Sequence, residues 1–103
     1  MGMLSEALDQ TQMSIFLNPK YCLGLNNLGV ILEEMDKEDE AIKNYKEALD
    51  NCSNYAEPNL HLGLINAKRG DNVQAYKYFK RCYELTPKSE LGQRCQKNAD
   101  AIK

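Results

Sequence analysis

The feature that most restricts this chain is a repeat of 34 residues. Leu28-Gly29 returns as Leu62-Gly63, Ala41 as Ala75 and Tyr45 as Phe79, each 34 positions on, and Pro19 and Pro87 lie two such periods apart. A period of that size belongs to stacked helical hairpins, in which each unit buries its apolar face on the next and a lone unit is unstable. Inside each period the apolar residues recur at three- and four-residue intervals, which is the spacing of a helix face and not of a strand.

Taken in order, residues 3–18 read as the second helix of a truncated repeat, with Leu4, Ala7, Leu8, Thr11 and Ile15 on one face and Asn18-Pro19 as the stop. Residues 22–55 read as a full repeat. Its first helix, over 22–35, carries Leu25, Leu28, Gly29, Leu32 and Met35 on one stripe, with Gly29 small enough to admit a neighbouring helix closely. Asp36-Lys37 makes the turn, and a second helix over 38–51 buries Ala41, Ile42, Tyr45, Ala48 and Leu49.

Residues 56–88 read as the second full repeat. Pro58 is tolerable because it falls in a first helical turn, and Gly70 fits the left-handed residue that closes a helix. Asp71 with Gln74 forms a reciprocal cap, and Ala75, Tyr76, Phe79, Cys82 and Tyr83 make the next buried face. From 89 to 103 the stripe thins to Leu91, Cys95, Ala99 and Ile102; a continued repeat would place Leu-Gly at 96 and 97, where the chain has Gln96-Lys97. This segment reads as the polar closing helix that a repeat array needs at its end.

Composition narrows the function. With 103 residues the chain forms one domain at most, and its formal net charge of −2 and pI of about 5.4 offer no overall field to attract phosphate backbones, so nucleic acid is not an expected partner. No apolar run approaches the roughly 20 residues of a membrane span. The amino terminus lacks a basic segment followed by an apolar one. Met1-Gly2-Met3 reads as an added leader ahead of a fragment, which would place any targeting signal of a longer protein outside this sequence.

Cys22, Cys52, Cys82 and Cys95 form no C-x-x-C pair and His61 is the sole histidine, so neither a zinc site nor any other metal or cofactor is expected. The cysteines read as four free thiols, small apolar side chains in a reducing, cytoplasmic setting. No serine or cysteine stands in a recognisable motif with His61, and the chain is expected not to be an enzyme. Glu33, Glu34, Asp36, Glu38, Asp39 and Glu40 read first as a solvated helix start favoured by the macrodipole, with a docking patch for a basic peptide as the alternative.

Leu28-Gly29, Ala41, Tyr45 and Ala48, followed by Leu62-Gly63, Gly70, Ala75, Phe79 and Pro87, resemble the tetratricopeptide repeat. That resemblance implies an all-α fold: a right-handed superhelical array of antiparallel helix hairpins, about six helices in all. It departs from the family signature where Leu25 and Asn59 replace Trp, Leu32 and Asn66 replace Tyr, and Ser53 replaces the turn proline.

In that family the first helices of successive repeats line a concave groove that binds an extended or helical peptide. Carried over by position, the groove-facing residues are Leu23, Asn26, Asn27, Val30 and Glu33 in the first full repeat. In the second they are Glu57, Leu60, His61, Leu64, Ala67 and Lys68. Members that clamp a chaperone's carboxylate tail place Lys, Arg and Asn on these faces; of the corresponding residues here only Asn27 agrees, so that role is not implied.

The resemblance therefore implies a protein-protein interaction scaffold holding a protein or peptide partner. Two alternatives stand beside it. One is a segment that stacks on a larger array or self-associates as a homodimer through the opening helix. The other is an assembly factor for a cell-envelope machine such as a type IV pilus.

Overall fold

The structure is a computed structural model, and it describes residues 21–102. Five helices follow one another: α1 (Cys22–Glu34), α2 (Glu38–Asn51), α3 (Ala56–Lys68), α4 (Asn72–Leu85) and α5 (Glu90–Ile102). Among the described residues there is no strand. The opening helix expected over 3–18, and the homodimer contact through it, lie outside the described residues. The chain divides into two compact units, residues 1–53 and 54–103.

In the first unit α1 packs on α2, and Cys22 at the start of α1 meets Cys52 just past the end of α2, so the two helices run antiparallel. The packing is tightest at Gly29. A Cβ there would stand 2.5 to 2.8 Å from the ring of Tyr45, closer than real carbon contacts allow, so the ring occupies the space a larger residue would need. Ala41, Tyr45 and Ala48 are buried on α2, while Ile42 and Leu49 on the same face are only half-buried.

The second unit repeats this arrangement: α3 packs on α4, and a Cβ at Gly63 would stand 2.6 to 3.0 Å from the ring of Phe79. Asn59, which replaces the signature aromatic, is buried and satisfies its amide by donating to the Tyr55 carbonyl at 3.0 Å, while Asn66 donates likewise to Leu62 at 2.8 Å. A single cluster joins Leu60 of α3, Ala75, Phe79 and Cys82 of α4, and Cys95 and Ala99 of α5.

The hairpin turns are built alike. Lys37 N–H donates to Leu32 O at 2.8 Å and Asp36 N–H to Glu33 O at 3.0 Å; one period later Asp71 N–H donates to Asn66 O at 2.9 Å and Gly70 N–H to Ala67 O at 3.1 Å. This pair of bonds is the Schellman closure, which needs a left-handed residue. Gly70 supplies it at φ 84°, and Asp36 supplies it at φ 61° without glycine's freedom.

The same closure corrects the reciprocal cap expected at Asp71 and Gln74. Asp71 Oδ1 does accept from Gln74 N–H at 3.1 Å, but the Asp71 N–H is already given to Asn66, so the cap works in one direction. At the next connection Thr86 and Pro87 end α4. Ser89 Oγ accepts from Gly92 N–H at 3.0 Å and so caps the start of α5. Gly92 is buried, and a Cβ there would overlap the Thr86 carbonyl oxygen.

The four cysteines are not the separate thiols expected. Cys22 pairs with Cys52 and Cys82 with Cys95, at Cα separations of 6.2 and 6.0 Å. The first disulfide closes the open end of the α1–α2 hairpin; the second ties α5 to α4 across the turn between them. Antiparallel packing brings these positions side by side although they are 30 and 13 residues apart in the chain.

Candidate functional site

Helical spacing fixes which residues of α1 share a face. Leu23, Asn27, Val30 and Glu34 fall at intervals of four, three and four. Leu23 is 44% exposed, Asn27 and Glu34 are exposed and Val30 is half-buried. The equivalent row on α3, each residue one period on, is Glu57, His61, Leu64 and Lys68. Leu64 is 39% exposed, Glu57 and Lys68 are exposed and His61 is half-buried. Each row thus presents aliphatic surface between polar groups, the composition that suits an extended or helical peptide.

Two of the residues assigned to a ligand-facing surface do not reach one. Asn26 is 1% exposed and Leu60 is 3% exposed, and Leu60 belongs to the core cluster with Phe79 and Cys82. Both lie beside the open rows on helices buried over most of their circumference, where a shift of one residue turns a side chain inward. Ala67 is half-buried and packs against that same cluster.

Glu33 also serves the interior. Its Oε1 accepts the Tyr45 hydroxyl at 2.6 Å. Burial, that bond and the charges of Glu33 and Glu34 push the Tyr45 phenol far above its usual value of 10.0, so it stays a neutral donor. Glu34, a member of the acidic cluster around the α1–α2 turn, completes the exposed row instead. The 34-residue register could have found it, because Glu34 is the equivalent of Lys68.

Among the described residues no group of three or more His, Cys, Asp or Glu side chains could hold a metal ion, and no helix is long and apolar enough to cross a membrane. The two rows offer surfaces for association.

Paired helices, glycine-to-ring packing and the repeated Schellman turn define an all-α helical-repeat protein of the solenoid class. The family profile of the tetratricopeptide repeat matches residues 24–55 and 56–89, and the chain belongs to that family. Two of the solved structures that share the fold are similar over nearly all of this chain. One is PcrH in complex with the chaperone binding region of PopD, with a TM-score of 0.87 and 17% identity over 98% of this chain and 79% of that one. The other is the type III secretion translocator chaperone SycD of Yersinia enterocolitica, with a TM-score of 0.87 and 20% identity over 98% of this chain and 72% of that one. No curated protein sequence matches the chain.

Proposed function

We propose that this protein is a non-catalytic interaction scaffold in which each exposed row, the one on α1 and the one on α3, offers a surface to a peptide or partner helix. The observation that carries this reading is the pair of register-equivalent rows, each with an aliphatic side chain left open, Leu23 and Leu64, on first helices of tetratricopeptide repeats. The PcrH structure supports it by analogy, since that protein of the same fold is held with the chaperone binding region of another protein. Ligand contacts are assigned to Leu23, Asn27, Val30 and Glu34 on α1 and to Glu57, His61, Leu64 and Lys68 on α3. Apolar contact at Leu23, Val30 and Leu64 would be oriented by hydrogen bonds from Asn27. The two disulfides favour an oxidising compartment over the cytoplasmic one expected from isolated thiols.

Peptides selected by display against the whole chain test the reading. Leu64→Glu and Leu23→Glu variants that keep wild-type circular dichroism are expected to lose about tenfold or more in affinity for the selected peptides. Wild-type affinity in both variants would remove the two rows as the binding surface.

A further inference from the structure

The formal charge of −2 conceals a separation. Residues 1–53 hold ten acidic and four basic side chains and residues 54–103 hold five acidic and nine basic, so the first unit carries −6 and the second +4. Opposite charge on two parts of one chain makes that chain complementary to its own copies.

The structure shows where those charges lie. On the second unit Val73, Lys77, Lys80 and Arg81 are all exposed on α4, and their spacing of four, three and one sets them along one side of the helix. Val73 is 67% exposed, and with Asn72, Tyr76, Lys77 and Ile102 it lines a notch of about 320 Å³. Arg81 gives one N–H to Asn54 Oδ1 at 3.2 Å, and a guanidinium has others to offer. On the first unit the exposed carboxylates Glu34, Asp36 and Glu40 surround the α1–α2 turn, and Met35 between the first two keeps part of its surface open.

We propose that the α1–α2 turn of one copy docks on the α4 face of a second, Met35 entering the notch beside Val73 and Glu34, Asp36 and Glu40 meeting Lys77, Lys80 and Arg81. Methionine suits this role because its unbranched side chain adapts to an irregular cavity. The two surfaces are different patches, so a pair joined head-to-tail keeps one of each free, and further copies add to it as open chains or rings. Glu34 is common to this surface and the α1 row, but Asp36, Glu40 and the whole α4 face lie outside both rows, so Lys77→Glu/Lys80→Glu weakens self-association without touching a residue assigned to peptide binding. Exposed ion pairs are weak singly and sensitive to screening, so the association is modest and depends on salt.

Sedimentation velocity on the whole chain, across concentration and ionic strength, tests this. Species larger than a dimer are expected to grow with concentration at about 0.01 M salt, where screening acts over roughly 30 Å, and to dissociate at about 1 M, where it acts over roughly 3 Å. Lys77→Glu/Lys80→Glu and Glu34→Lys/Glu40→Lys variants, each folded by circular dichroism, are each expected to weaken association about tenfold or more. Mixing the two variants restores it, because each then offers the complement of the other. A monomer under all conditions, association that persists at high salt, or failure of the mixture to associate would each overturn the proposal.

Discussion

The hydroxyl of Tyr45 donates to the carboxylate of Glu33 at 2.6 Å, and one period later the same two places hold Phe79 and Ala67, with no polar group. The two hairpins thus solve one packing problem with different chemistry. Tyr45→Phe is expected to lower stability by about 1 to 2 kcal/mol in chemical denaturation, because the carboxylate loses a donor at a half-buried site. Phe79→Tyr is expected to be destabilising too, since Ala67 offers no acceptor to the new hydroxyl.

The raised phenol also makes stability depend on alkaline pH. Below pH 10.0, its ordinary value, Tyr45 is neutral folded and unfolded and its contribution is whole. Above that value the unfolded chain releases the proton while the folded chain retains it, so stability falls as pH rises. Tyr45→Phe is expected to flatten the decline measured by denaturation between about pH 10 and 11.5. Part of the slope remains in the variant, because burial raises Tyr78 as well.

Helix propensity and packing give opposite signs for Gly29→Ala and Gly63→Ala. Alanine favours a helix over glycine by about 1 kcal/mol, yet the new methyl would press on the Tyr45 or Phe79 ring. Packing dominates because the ring lies inside the core and cannot withdraw; each variant is expected to lose about 1 to 3 kcal/mol of unfolding free energy.

The two Schellman turns differ in their left-handed residue. Asp36→Gly is expected to raise stability by about 0.5 kcal/mol, relief of the φ of 61° outweighing the extra freedom of the unfolded chain. Gly70→Ala, at φ 84° but with nothing within 4 Å of the added methyl, is expected to lose about 1 kcal/mol through backbone strain alone. Thermal unfolding of the pair reads both signs.

Much of the fold was legible because its signals are local. The 34-residue period, the glycine at 70 and the prolines marked helices and turns, and Ala75, Phe79 and Gly63 are indeed packing residues. The candidate surface was harder to read. On α1, Cys22, Gly24, Leu25, Asn26, Leu28, Gly29 and Leu32 are all buried, leaving a narrow open strip that an apolar periodicity does not locate. Asn26 and Glu33 were therefore assigned outward when one is buried and the other faces Tyr45. The disulfides escaped altogether, since pairing depends on which helix ends lie together in space and no spacing motif records it.

Peptide mapping without reductant is expected to recover Cys22 joined to Cys52 and Cys82 joined to Cys95. Reduction is expected to lower stability by about 3 to 4 kcal/mol for the bond spanning 30 residues and about 3 kcal/mol for the bond spanning 13. Cys→Ala variants at one member of each pair separate the two contributions in chemical denaturation.

The same two bonds make the polypeptide two closed rings joined by a strand. A protease that nicks the turn at Asp36, or the connection at Pro87, cuts inside a ring, and the pieces stay attached until they are reduced. A nick at Gly70 falls on the strand between the rings and divides the chain into covalently separate pieces. Exposed turns that look alike in the backbone are thus unequal: two are breaks inside a covalent loop, and one leaves only the packing of α3 on α4 to hold the pieces together.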